Sequence, residues 1–275
     1  MRTSSRDSKP LVPMAPSARR AGIAAGLLLL AVSGSVGCAT PPPFRQPADF
    51  DQRFEGVRTI TLVPPKIAVY KMSAGGTEEE VQGWSDDAYA HVVEAVEAEV
   101  GELGRTFVPY AGEELPHRTI RHDGHAAERA AASGHSAAED SWLLFEAANL
   151  AILRHTYDPW NVFPERQKNF DYTLGREARA LAGETDADAF LLVVATDHIP
   201  TRERAALVAA GLAMAAMTAS YSGPSATPAK LTLALVEADS GDILWFNTLS
   251  LPLSDLRDAK TDQVLIDSVM KGLSQ

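Results

Sequence analysis

The sequence predicts an α+β domain, a small mixed or antiparallel sheet covered by helices. Three observations lead there. Residues 189–195, Ala-Phe-Leu-Leu-Val-Val-Ala, form an unbroken apolar run between acidic residues, which is the pattern of a central strand buried on both faces. Residues 231–238 and 243–250 flank Asp239-Ser-Gly-Asp242, a strong hairpin signal. Two stretches carry helical periodicity: Ala88, Val92, Val96 and Val100 stand four apart, and Val264, Leu265, Val269 and Leu273 share one inward face. With no internal repeat evident, one α+β domain accommodates all three.

Taken in order, residues 39–54 hold Pro41-Pro42-Pro43 and Pro47 with little apolar content and read as an extended tether. Thr59-Ile-Thr-Leu-Val63 alternates as a strand, stops at Pro64-Pro65, and resumes as Ile67-Ala-Val-Tyr70. Ser85 is the expected N-cap of the first helix, with Asp86 and Asp87 in its first turn and Gly101 and Gly104 at its end. A short strand at 105–109 follows. Residues 111–134 show no sustained period and read as a loop. Ser136-Ala-Ala-Glu139 fits a capping box ahead of the apolar run 142–153. A helix is expected at 173–182, closed by Gly183, and a last one at 261–273.

The chain has 275 residues, of which 45% are apolar and 22% charged, enough for a proper core. Its formal charge of -11 disfavours a nucleic-acid partner, since phosphate contacts need clustered Lys and Arg. One cysteine excludes an intrachain disulfide framework and any Cys-cluster metal site.

The N-terminus reads as an address. Arg2, Arg6, Lys9, Arg19 and Arg20 precede an apolar stretch, and small residues Ser33-Gly-Ser-Val-Gly37 follow it. The apolar part, 21–36, is shorter than the ~20 residues a helix needs to span a bilayer. Ser35-Val36-Gly37-Cys38 resembles the bacterial lipobox. That resemblance implies cleavage between Gly37 and Cys38 and a diacylglyceryl thioether on Cys38. Because residue 39 is Ala and not Asp, the resemblance also favours the outer membrane, on its periplasmic face. The expected division is 1–37 lipoprotein signal peptide, 38–56 lipidated cysteine and Pro-rich tether, and 57–275 α+β periplasmic domain. The mature chain would carry 20 Lys and Arg against 35 Asp and Glu, a charge of -15. Such a body is repelled by anionic membranes, so the lipid must hold it.

Thr61-Leu-Val-Pro64, the segment Thr185-Asp-Ala-Asp-Ala-Phe-Leu-Leu-Val-Val194, and Leu235-Val-Glu-Ala-Asp-Ser-Gly-Asp-Ile-Leu-Trp245 together resemble periplasmic lipoproteins of the TolB N-terminal/CsgG group. The resemblance rests on structural turns and implies fold and compartment more than activity. CsgG itself forms an export channel, but convincing channel-forming hairpins are missing from this sequence.

Four of the seven histidines, His117, His122, His125 and His135, fall in one loop, where Asp123 could join them. Imidazole is a common zinc and copper ligand, yet no helical i, i+4 pair and no HExxH occurs there. His122 and His125 are the weak metal candidates, the default is a solvated loop, and no cofactor is expected. Gly134-His-Ser136 approaches a G-x-S-x-G nucleophile elbow but lacks its final Gly and a preceding strand. Trp84, Trp142, Trp160 and Trp245 are expected to anchor cores, and 157–163 to form a packed loop.

Residues 205–220 are the most unusual segment: a helix about 24 Å long, apolar on every side. Such a helix must be covered by a core, a partner or lipid. If it is exposed, Leu207, Gly211, Leu212, Met214 and Met217 become the contact residues for other envelope proteins or a second copy. The expected function is a lipid-anchored periplasmic envelope protein acting non-catalytically through protein contacts in assembly, export or envelope maintenance. The alternative is a periplasmic hydrolase or metal-binding lipoprotein using the His117–His135 loop.

Overall fold

The computed structural model describes residues 43–112, 115, 136–221, 223–225, 227–251 and 254–273. Seven strands form one mixed sheet: β1 Thr59–Leu62, β2 Lys66–Met72, β3 Glu78–Glu80, β4 Thr106–Val108, β5 Ala189–Pro200, β6 Ala229–Glu237 and β7 Ile243–Leu251. The longest, β5, lies in the middle. On one side it pairs antiparallel with β6, which pairs with β7. On the other side β1 and β2 follow each other along β5, both parallel to it. Leu62 stands opposite Leu191 and Lys66 opposite Val194, so β5 spends one residue fewer than its neighbour over the gap. The gap falls at Pro64-Pro65, where neither residue has an N–H to donate. Outside these, β4 runs parallel to β1 and β3 antiparallel to β2.

Helices cover both faces. The alternation of β5 sends Ala189, Leu191, Val193 and Ala195 into a core with α1 (Phe50–Gly56), α2 (Gln82–Glu102) and α6 (Ala259–Met270). Phe190 and Leu192 enter a second core with α3 (Ala137–Ile152) and the 3₁₀ helix Arg176–Ala182. This two-sided burial is why the run has no polar alternation. The remaining helices are the π-helical turn Leu153–Tyr157 that continues α3, the short α4 (Pro164–Lys168) and α5 (Arg202–Thr218).

Several elements depart from expectation. Helix α2 begins at Gln82, a turn before Ser85. Ser85 is instead buried inside it, its hydroxyl accepting from the Val69 N–H at 3.0 Å. The helix expected over 173–182 starts only at Arg176, because Thr173 forms a β-bridge to Asp242 and Leu174 N–H bonds Gly241 O. Gly175 (φ 76°) and Gly183 (φ 66°) then bound a seven-residue 3₁₀ segment. Helix α6 ends at Met270, short of the expected 273; Leu265 and Val269 in it and Leu273 beyond it are buried as expected, but Val264 is exposed, and Ile266 and Met270 take the inward face. The Ser136 capping box forms in full: the hydroxyl accepts from Glu139 N–H at 3.1 Å, and Ser136 N–H donates to the Glu139 carboxylate at 3.0 Å.

The stretch expected to be an extended tether is packed from Phe44 onward. Phe44 stacks on Trp245, Arg45 pairs with Phe246 in an antiparallel bridge, and α1 buries Phe50 and Phe54. Arg53 of α1 reaches the β6–β7 turn, with ion pairs to Glu237 at 2.5 Å and Asp242 at 2.8 Å. The apolar content of this stretch is low but placed at i and i+4, which suffices to dock one short helix.

Candidate contact surfaces

The sheet end formed by the last residues of β5 and β7 and the first of β6 carries α5. Thr201 caps it, its hydroxyl accepting from Arg204 N–H at 3.3 Å. Of the helix only Arg204 and Gly211 are buried. The Arg204 guanidinium donates to Ser73 O at 3.3 Å and Ser225 O at 3.0 Å, tying the helix root to the β2–β3 turn and to the returning chain. Ala219 (φ 54°) ends α5 in the left-handed conformation. The chain then folds back so that Tyr221 and Gly223 lie against Gly211, where a Cβ would meet them at 2.9 Å. The Tyr221 hydroxyl closes the turn on Pro224 O at 2.5 Å.

The remaining circumference of α5 is open. Leu207 is 48% exposed, Leu212 59%, Met214 51% and Met217 83%. Leu207, Met214 and Met217 fall at i, i+7 and i+10 on one stripe, Leu212 lies round the far side, and alanines fill the space between. Of the three ways of covering this segment, burial in its own core is therefore ruled out. At the root of α5 an open cleft of about 800 Å³ is lined by Lys71, Trp84, Arg202 and Arg257 together with Glu79 and Glu203. Arg257 is already engaged, held bidentately by Asp255 and lying over the Trp84 ring at 4.5 Å.

A second apolar surface lies at the end of α3. Trp160, expected in a core, is 92% exposed, with Phe163 and Leu150 also open. Its loop is fixed by Asp158, which accepts from Trp160 N–H at 2.9 Å and from the Asn161 amide at 2.6 Å. Those two bonds hold the Asp158 carboxyl below its ordinary range. Phe163 stacks on His155 with ring centres 4.3 Å apart. Trp142 and Trp245 are buried as expected, and Trp84 is half-buried.

Gly37 and Cys38 lie outside the described residues, as do His117, His122, His125, His135 and Asp123. Among the described residues no group of three or more His, Cys, Asp or Glu side chains is arranged to hold a metal ion. Ser136 is occupied as a helix cap.

One ionisable site escaped the sequence altogether. Asp262, in the first turn of α6, has a fully buried side chain, and neither of its oxygens has a hydrogen-bond partner. The nearest cation candidate is His91 of α2, at 3.4 Å. Burial first, then the charges of Asp258, Asp197 and Asp255, push its carboxyl up to about 8. Asp197, buried in β5, is shifted upward for the same leading reason.

No protein-family model and no curated protein matches the chain. Among solved structures it is similar to the LpoB C-terminal domain from Salmonella enterica, at 11% identity and a TM-score of 0.25, over 74% of this chain and 92% of that one. At that score the likeness establishes neither a shared fold nor a shared task, and it lends nothing to the TolB N-terminal/CsgG resemblance.

Proposed function

We propose that this chain is a lipid-anchored envelope protein on the periplasmic face of the outer membrane, working through contacts and not by turnover. The observation that carries the reading is α5: an apolar helix, open over most of its circumference, is stable only when something covers it. Leu207, Leu212, Met214 and Met217 are its contact side chains, and Gly211 lets the returning chain brace it. Trp160 and Phe163 offer a second, rigidly held aromatic surface of the kind that dominates protein interfaces. Through one or both, the protein engages other envelope proteins or its own copies. The lipobox at Gly37-Cys38 supports the anchor, and the turn motifs similar to the TolB N-terminal/CsgG group support the compartment. The hydrolase and metal-binding alternative rests on residues 117–135, which lie outside the described residues, and on Ser136, which caps α3.

The test is photo-crosslinking in intact cells, with the crosslinker at Trp160 in one variant and at Met217 in another. A discrete protein adduct at either position supports the reading. No adduct at both, from protein still in the membrane fraction, defeats it.

A further inference from the structure

We infer that docking of the N-terminal segment governs the aromatic contact surface. Trp160 and Phe163 are held rigidly in position only while residues 44–56 lie on the sheet, and Arg45 is the positioning residue. The inference rests on the contact role given to Trp160 above and adds what controls it.

The Trp160 loop has two kinds of support. Within it, the Asp158 carboxylate accepts from Trp160 and Asn161, and Phe163 N–H donates to His155 O at 2.9 Å beneath the stacked rings. These bonds all lie inside residues 155–163, so they fix the shape of the loop and leave its bearing on the sheet to other groups. That bearing is set at the π-helical turn Leu153–Tyr157, closed by Asp158 N–H on Leu153 O at 3.0 Å. The last carbonyls of a helix need partners from outside it. Here the Thr156 carbonyl accepts from the Gln167 amide at 3.1 Å and from the Arg45 guanidinium at 2.8 Å.

Arg45 joins three elements at once. Its backbone exchanges two hydrogen bonds with Phe246 of β7. Its guanidinium donates to Thr156 O and to Phe44 O, and lies over the Tyr157 ring at 4.4 Å. Tyr157 donates its hydroxyl at 3.2 Å to Phe246 O, the same carbonyl that accepts from Arg45 N–H. The N-terminal segment, the β7 edge and the root of the loop therefore meet in one side chain, with Thr156 four residues before Trp160. Thr156 is fully buried, and a charge-assisted bond at a buried acceptor is a strong one. The cation also faces the partly negative C-terminal end of the helix that α3 begins.

The segment can open as a unit. It meets β7 in an isolated bridge, not a ladder, and its helix α1 has seven residues. Short elements held at a sheet edge open at lower cost than central strands. When this one opens, Arg45 leaves with it, because the bridge to Phe246 and the bond to Thr156 belong to the same residue. Thr156 O then loses its charged donor and the Tyr157 ring its cation. The loop keeps its own bonds but loses part of its seat, so Trp160 is presented in a spread of orientations. An aromatic anchor held in one orientation binds better than a mobile one, which must be ordered on binding. By linkage, a partner seated on Trp160 favours the docked segment in equal measure.

The experiment uses the full chain in intact cells with the photo-crosslinker at Trp160, in the parent, in Arg45→Met and in Arg45→Lys. Methionine keeps an apolar stem and removes the cation, whereas lysine keeps a cation that can reach the Tyr157 ring. The adduct at 160 should fall at least about fivefold in Arg45→Met and recover at least about half of its yield in Arg45→Lys. Hydrogen exchange of the purified chains is the control. The peptide over 153–163 should exchange about tenfold faster in Arg45→Met, while the peptide over β5 keeps its rate. An undiminished adduct in Arg45→Met overturns the inference and leaves the contact reading standing. Equal acceleration in β5 also overturns it, since Arg45 would then be a prop of the whole fold. No adduct at 160 in the parent, from protein present in the membrane fraction, removes the contact role of Trp160 and the inference with it.

Discussion

Arg45 and Phe246 exchange two backbone hydrogen bonds, at 2.8 and 2.9 Å, so the chain leading into the domain is pinned to β7 by an isolated antiparallel bridge. Phe44 and α1 extend the attachment on either side. A chain begun at residue 57 should therefore be less stable than one begun at residue 43. Two buried phenylalanines at ~1.5–3 kcal/mol each give roughly 3–6 kcal/mol, from which the cost of ordering the segment is subtracted, so a loss of about 1–4 kcal/mol is expected. Equal urea midpoints for the two would show that the segment adds nothing.

Gly211 and Gly101 separate helix propensity from packing. Nothing lies within 4 Å of a Cβ at Gly101 in α2, whereas at Gly211 it would press on Tyr221 and Gly223. Alanine at 101 should stabilise by up to about 1 kcal/mol. Alanine at 211 should forfeit that gain and loosen the returning turn, read as faster chymotryptic cleavage after Tyr221. Equal gains at both positions would show that the turn is not braced on the helix.

Trp160 touches little of its own chain, so Trp160→Ala should change stability by less than about 0.5 kcal/mol. A contact role predicts that the same change abolishes protein capture in cells. A large drop in melting temperature would place this residue in the structure instead of the interface.

The legibility of this fold follows burial symmetry. Strand β5 was readable because both faces are apolar, and the β6–β7 hairpin because Asp239-Ser-Gly-Asp242 is local turn chemistry. The start of α2 was not, because Ser85 has the residue type of a cap while its hydroxyl serves Val69, a partner 16 residues away. Residues 44–56 were misread for a similar reason. Two phenylalanines and an arginine in a Pro-bearing stretch look solvated until β7 and the Glu237–Asp242 turn are brought beside them. The apolar character of α5 was plain, but its exposure was not, since composition states that a helix needs cover without saying where the cover is. Asp262 was invisible because its environment is built by α2, β5 and the loop before α6.

That acid makes stability depend on pH in a definite sense. With its carboxyl pushed up to about 8 in the fold and near 3.9 in the unfolded chain, the folded protein keeps a proton that the unfolded chain has released. Asp262 thus contributes its full stability below about pH 4 and loses it progressively as pH rises toward 8. Asp197, also shifted upward, adds in the same direction. The pairs that hold Glu237, Asp242 and Asp255 below their ordinary range act oppositely, losing stability only in acid as those carboxylates protonate. The charges of Asp258, Asp197 and Asp255 oppose ionisation of Asp262, whereas a charged His91, 3.4 Å away, would favour it. Replacing Asp262 with Asn keeps the shape and removes the charge. The variant should gain about 1–3 kcal/mol over the parent at pH 8 and show little difference at pH 4. Denaturant titrations at the two pH values test this. A loss of stability at pH 8 would mean that the ionised acid, paired with His91, is what α2 and α6 are built around.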